Sequence, residues 1–196
     1  MGVTVIVATF GSAEWQRRAE AVAVPSAVAQ LPDELIVEHG RTLADARNDA
    51  ARRARSEWLC FLDADDQLEP GYLAALRFGF GDLRAPAVRY VTPGEPEPEP
   101  VTFEGRDIST INPCVIGTLI RREMLLTAGG FWQERAWEDW SLFRRCWLLG
   151  ASIEHHPAAV YRATVGAGRN STIVNRHQLY RDILTSHDQW QKARAQ

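Results

Sequence analysis

The sequence predicts an α/β domain with a mostly parallel central sheet flanked by helices. Three observations lead there. Through the first half, short apolar runs alternate with helical patterns. The first run, residues 3–9, is β-branched and nearly unbroken, as a strand buried on both faces requires. The length, 196 residues, suits one hydrophobic core, since folding at that size buries roughly 70% of the surface of the unfolded chain.

After the strand at 3–9, a helical segment starts at Ala13, with Pro25 marking a kink or restart because proline has no N–H for the helical ladder. Residues 35–37 read as a second strand. Thr42 caps the next helix with Asp45 in its first turn, and Ala46, Ala50 and Ala54 recur every four residues. Such a stripe of small side chains lets the helix lie close to a sheet. Residues 58–62 form a strand that ends on an acidic run. Residues 93–100, PGEPEPEP, hold too many prolines and too much charge for a buried element, so they form a solvated, extended loop. This loop separates a first half, 1–92, from a second, 101–170, with a strand at 115–121, a helix at 138–149 and a strand at 151–155. Residues 171–196 are polar, with Leu179, Ile183 and Trp190 at near-helical spacing, and close the single domain 1–196 as a helical tail.

Composition excludes several classes. Hydrophobic residues at 45% and charged residues at 24% describe an ordinary globular chain and not a disordered or collagen-like one. No run approaches the roughly 18 consecutive apolar residues of a bilayer-spanning helix, and the N-terminus lacks the basic start and cleavage site of a signal peptide. A soluble, cytoplasmic protein without a transmembrane segment is expected. A net charge of -3 gives no basic footprint for nucleic acid. Cys60, Cys114 and Cys146 are odd in number, widely spaced and set in apolar sequence, which suits reduced core thiols. With a single lysine, Lys192, and no GxxxxGK[ST], lysine Schiff-base chemistry and a P-loop are excluded.

Chemistry concentrates in Asp63, Asp65 and Asp66, directly after the apolar run at 58–62. Ligands of open α/β sheets bind beyond the carboxyl ends of strands, and acids crowded there repel one another until a divalent cation relieves them. An acidic surface turn or helix cap is the plainer reading of the same residues.

The ordered series VTVIVATF, ELIVEHG, ADARNDAARRA, SEWLCFLDADDQLEPGYL, GTLIRREMLLTAGGF and WEDWSLFRRCWLLGASI resembles the inverting family 2 glycosyltransferases over roughly residues 1–165. The resemblance implies a compact version of the GT-A (Rossmann-like) fold and a hexosyltransferase of the EC 2.4 type. The enzyme would move a sugar from a nucleoside diphosphate donor, with UDP favoured, to a sugar or protein hydroxyl. It implies that Asp63 contacts the donor ribose, that Asp65 binds Mn²⁺ or Mg²⁺ with Asp66 as an auxiliary, and that Asp139 is the general base with Glu138 beside it. Thr9, Glu38 and Arg47 are implied in binding the nucleotide sugar, Glu38 at the base and Arg47 near the diphosphate. A carboxylate accepts an N–H from uracil or guanine, and a guanidinium fork fits phosphate oxygens.

Plainer readings stand beside these: Glu38 as a structural strand-end acid, Arg47 as a solvated arginine like Arg52, Arg53 and Arg55, and Glu138 and Asp139 as favourable charges at a helix start. Trp137 and Trp140 offer faces to a sugar acceptor or fill the core. His155 and His156 point to opposite faces of a strand, one buried and one exposed, which makes joint metal ligation awkward. Two features depart from the family. Ala163 and Thr164 follow Tyr161-Arg162 where relatives place a metal-binding histidine, and the stretch from Gly40 to Arg47 is short. A nucleotide-sugar-binding module without turnover is one alternative. Another is a haloacid dehalogenase-like phosphatase with Asp63 as nucleophile and Asp65 as acid/base, but Lys192 in the tail is poorly placed for the lysine it needs. The sequence does not specify the sugar, the acceptor or the oligomeric state.

Overall fold

The structure is a computed structural model that describes residues 1–166 and 175–195. Positions 171–174 and 196 of the expected tail lie outside the described residues. The described strands are β1 (Val3–Phe10), β2 (Glu34–Gly40), β3 (Trp58–Asp63), β4 (Gln67–Leu68), β5 (Leu83–Val91), β6 (Leu119–Arg121) and β7 (Ile153–Thr164). They form one sheet in the order β2-β1-β3-β6-β5-β7-β4. β1 runs parallel to β2 and β3, and β5 parallel to β7. β6 is antiparallel to both neighbours and β4 is antiparallel to β7. The sheet is therefore mixed, which corrects the expectation of a mostly parallel one: apolar runs signal burial and carry no information about strand direction.

Helices cover the sheet where the sequence offers small side chains. α1 (Ala13–Arg18) passes through a π-helical segment, Ala19–Ala23, into α2 (Val24–Val28), and Ala19, Ala23 and Ala27 are fully buried along that path. The widened turn lies just before Pro25, whose missing N–H would have broken the regular ladder. α3 (Leu43–Arg53) starts at Thr42, whose hydroxyl accepts from the Asp45 N–H at 3.0 Å, and buries Ala46, Ala50 and Ala54 as the spacing predicts. α4 (Tyr72–Arg77) and α5 (Arg122–Thr127) are short additions to the sequence reading. α6 (Glu138–Leu148) matches it closely. α7 (Arg176–Arg194) buries Leu179, Ile183 and, unanticipated, His187. Among the described residues no helix is long and apolar enough to cross a membrane. Loop 93–100 is exposed, as expected, and is closed at its base by the antiparallel bridge between Val88 and Val101. All three cysteines are buried and free.

β6 is shorter than the expected strand at 115–121, because residues 115–118 turn: the Thr118 N–H donates to the Val115 carbonyl at 2.8 Å. β6 therefore pairs only with Trp58 and Leu59 of β3 and with Leu83 and Arg84 of β5. Beyond those residues no strand among the described residues joins β3 to β5, and the sheet is split towards its carboxyl ends. Tyr72, Tyr161 and Gly117 fill the base of the split. The Tyr72 hydroxyl donates to the Gly117 carbonyl at 2.8 Å, and a Cβ on Gly117 would fall 2.3 Å from the Tyr161 ring.

Candidate active site in the split of the sheet

Above that packed base lies a cavity of about 440 Å³. β3 delivers Asp63 to its wall, and the chain turns at once, with the Asp66 N–H donating to the Asp63 carbonyl at 3.1 Å. β7 holds this turn from the opposite side. Asp66 accepts from the Tyr161 hydroxyl at 2.8 Å and from the Thr164 N–H at 2.7 Å, while the Thr164 hydroxyl donates to the Asp65 carbonyl oxygen at 2.6 Å. Thr164, near the place of the missing family histidine, thus ties down the acidic turn. Burial, and then the charge of Asp63, push the Asp66 carboxyl up to about 8. Asp65 is raised as well, by burial and then by Asp63.

Arg47 rises into the same cavity from α3 with its side chain only 1% exposed. One guanidinium nitrogen donates to Asp63 at 2.6 Å and another to Glu138 at 2.9 Å, and the group lies over the Phe131 ring at 4.9 Å. The resemblance implies a place near the diphosphate, and the planar fork joins the end of β3 to the start of α6. Asn48 fixes the adjoining turn. Its amide accepts from the Phe131 N–H and donates to the Phe131 carbonyl, both at 2.8 Å, beside Gly130, whose φ of +68° and close contact with Asn48 admit only glycine.

α6 begins at Trp137, held in the left-handed region at φ 58°, so that Glu138 and Asp139 stand in its first turn. Asp139 Oδ1 accepts from the Trp140 N–H at 2.8 Å, satisfying one of the helix's free donors, and Oδ2 accepts from the Asn112 amide at 2.9 Å. Burial, with the Glu138 charge second, pushes Asp139 up to about 7. Trp140 belongs to the core: its Nε1 donates to the Ile108 carbonyl at 2.9 Å and its ring stacks on Tyr180. Trp137 is half-buried and packs edge-on to Trp140.

The cavity thus gathers Arg47, Asp63, Asp65, Asp66, Glu138 and Asp139 from two halves of the chain. Thr9 and Glu38 lie outside its lining. They sit along the neighbouring strand ends, where Glu38, Ala8 and Asp63 are in register across β2, β1 and β3. Glu38 pairs with Arg53, and the Thr9 hydroxyl donates to the Glu38 carbonyl at 3.3 Å. A smaller cleft of about 130 Å³ at that end, bounded by Phe10, Arg41 and Trp132, shares Glu138 with the main cavity. His155 and His156 face different partners as expected, the Pro113 carbonyl and Glu154, but both are half-buried, which corrects the expected buried and exposed pair. Lys192 is exposed on the last turn of α7, so the described cavity has no phosphatase-type lysine. Sequence reasoning missed Asn112 and Tyr90 as lining residues. Asn112-Pro113 reads only as a turn, and Tyr90 lies in β5, a strand absent from the sequence reading.

Among the described residues no three His, Cys, Asp or Glu side chains form a metal-holding group. Asp63 is engaged by Arg47 and Asp66 by β7, which leaves Asp65 as the carboxylate most open to a cation. Magnesium commonly binds through one or two carboxylates together with substrate phosphates and water. The residues therefore fit a cation that binds with a diphosphate and do not fit one caged by protein alone.

Residues 27–112 match the family model described as Glycosyl transferase family 2. No curated protein gives a significant sequence match. Among solved structures, the chain is similar to S. aureus TarS 1-349 in complex with UDP-GlcNAc, with a TM-score of 0.62 and 20% identity over 93% of this chain and 65% of that one. It is likewise similar to TarS 1-349 alone, with a TM-score of 0.58 and 20% identity over 84% and 60%. TarS 1-349 in complex with UDP gives a TM-score of 0.56 and 18% identity over 95% and 72%. At these identities the likeness establishes the fold, and this chain spans about 60% of the length of TarS 1-349 alone.

Proposed function

We propose that this chain, a glycosyltransferase family 2 domain of GT-A type, transfers a sugar from a UDP-sugar to an acceptor hydroxyl with inversion at the anomeric carbon. The observation that carries the proposal is the convergence of Asp63 at the end of β3 and Asp65 in the turn after it with Asp139 from α6 on one cavity. The fold likeness to structures holding UDP and UDP-GlcNAc supports the choice of nucleotide.

In this reading the nucleoside lies along the strand ends by Thr9 and Glu38, and Asp63 accepts from the ribose. Asp65, with Asp66 steadying its turn, would hold Mg²⁺ or Mn²⁺ with the diphosphate, and that cation would offset charge on the leaving group. Asp139 takes the acceptor's hydroxyl proton as that oxygen bonds to the anomeric carbon and the bond to the diphosphate oxygen breaks, releasing UDP. A carboxyl pushed up to about 7 is well matched to this task, because a base works best with a pKa near the working pH. Arg47 holds Asp63 and Glu138 in place, and its charge favours the ionised form of Asp139.

Ala163 and Thr164, standing after Tyr161-Arg162 where relatives place a metal-binding histidine, favour a second reading, a nucleotide-sugar-binding domain without turnover. Calorimetry with UDP, UDP-GlcNAc and GDP, with Mn²⁺ or with chelator, tests donor and cation together. Tight UDP binding that weakens with chelator and with Asp65→Ala is expected. Equal binding in both conditions removes the cation, a GDP preference changes the base, and donor binding without UDP release establishes the second reading.

A further inference from the structure

Asn112 sits in the loop between β5 and β6, and three other parts of the molecule hold that loop. The Ile108 carbonyl accepts from Trp140 Nε1 of α6, the Ser109 carbonyl from the Tyr180 hydroxyl of α7, and the Pro113 carbonyl from His155 Nε2 of β7. Within it, the Asn112 side-chain oxygen accepts from the Cys114 N–H at 3.1 Å. That bond fixes which way the amide faces: with its oxygen committed to the backbone, its N–H₂ must point at Asp139, where it donates to Oδ2 at 2.9 Å. Oδ1 is already held by the Trp140 N–H. The carboxylate is thus gripped at both oxygens and cannot turn about its Cβ–Cγ bond without breaking a hydrogen bond. Each oxygen still keeps a lone pair free for a proton from the cavity.

We propose that Asn112 is the positioning residue for Asp139, setting the orientation in which this carboxylate meets the acceptor hydroxyl. The inference rests on Asp139 being the proton acceptor and adds the residue that aims it. Two effects follow. Loss of the amide frees the carboxylate to rotate, and misplacement of a catalytic group on the scale of an ångström costs up to about 100-fold in rate. An N–H that donates to a carboxylate also favours the ionised form, so its loss raises the pH at which Asp139 ionises. The charged and titratable groups facing Asp139 from the surrounding elements are Glu138 on α6, Arg47 on α3, Asp63 on β3, Tyr90 on β5 and Cys114 in the loop. None of these changes in an Asn112 variant.

Asn112→Asp keeps an oxygen for the Cys114 N–H, and with it the turn, but has no N–H₂ for Asp139. Because its own charge also raises Asp139, the titration is read in Asn112→Ala. Asn112→Ala removes both without adding charge. UDP release from UDP-GlcNAc and the ¹³C titration of the Asp139 carboxyl are measured as functions of pH, with Asp139→Asn identifying the signal and melting temperature monitoring the fold. The expected result is UDP affinity within about twofold of the parent, UDP release slowed roughly 10- to 100-fold, and an Asp139 titration moved roughly one pH unit upward. An unmoved titration in folded Asn112→Ala overturns the inference, whatever donor the chain uses. If Asp139→Asn abolishes release while both Asn112 variants retain it, Asn112 alone loses its role. If Asp139→Asn retains release, the base assignment falls and this inference falls with it.

Discussion

Arg47 donates to Asp63 at 2.6 Å from a guanidinium that is 99% shielded from solvent, and its second arm reaches Glu138. One side chain of α3 thereby joins the acidic turn of the first half to the first turn of α6 in the second. Burying such a charge is costly unless its partners remain, so the three residues stand or fall together.

Arg47→Ala is accordingly expected to destabilise the fold by about 2–4 kcal/mol, somewhat below a fully buried pair because Asp63 is partly exposed. Arg52→Ala, which breaks only an exposed pair with Asp49, should stay within about 0.5 kcal/mol. Urea unfolding of the two variants makes the comparison. A stable Arg47→Ala protein with weakened UDP affinity would instead place this arginine on the diphosphate.

Asp139→Asn separates base from cap. Asparagine keeps an oxygen for the Trp140 N–H but has no site that takes up a proton near neutral pH, so turnover should fall by roughly 10²-fold or more. UDP affinity should hold, and melting temperature should fall only modestly, because the new N–H₂ faces the Asn112 N–H₂ where the carboxylate accepted a hydrogen bond. Retained turnover would pass the role to Glu138, the adjacent carboxylate.

Stability should respond to pH through Asp66 and His187 with opposite signs. The folded state holds Asp66 up to about 8 against an ordinary 3.8, so its contribution is complete below about 4 and is lost as pH rises through about 8. Burial, helped by the charges of Arg145 and Arg144, pushes His187 down to about 3. Its contribution is complete above about 6.5 and is lost as pH falls towards 3. Melting curves from pH 4 to 8 should show Asp66→Asn gaining on the parent as pH rises. Between pH 6.5 and 4, any deficit of His187→Gln should shrink as pH falls. Parallel curves would mean that neither group is held in its shifted state.

Gly117→Ala probes the base of the split. The added methyl would fall 2.3 Å from the Tyr161 ring and 2.5 Å from the Tyr72 hydroxyl, both in fully buried residues. Overpacking of this kind costs about 1–3 kcal/mol. Tyr161 also carries the hydrogen bond to Asp66, so donor affinity should weaken along with the melting temperature. An alanine tolerated in both measurements would show that the two tyrosines are not locked.

Several features were legible before any fold was drawn, because local physics writes them into neighbouring residues. The nearly unbroken β-branched run at 3–9 located β1, and the short continuous apolar run at 58–62 located the core of β3. Thr42 with Asp45 marked a helix start, and alanines four apart marked the face of α3 that lies on the sheet. Asp63 and Asp65 stood out because carboxylates crowded at a strand end repel one another, and Glu138 and Asp139 stood out through the family resemblance. The direction of β6 was not legible, since an apolar strand is equally apolar in either direction. Nor was β7's full length, because Pro157 and polar alternation disguise a strand that is only partly buried.

By itself the sequence determined the α/β class, the helix caps, the acidic turn and the two carboxylate motifs, all of which depend on residues within a few positions of one another. Tertiary structure alone decided that a three-residue β6 leaves the sheet split, that Arg47, besides holding Asp63, reaches Glu138 91 positions further along the chain, and that Asn112 faces Asp139. Those relationships depend on how distant segments come to lie side by side. No local pattern of charge or apolarity encodes that, because each partner has many alternatives in sequence and only the packed core selects one.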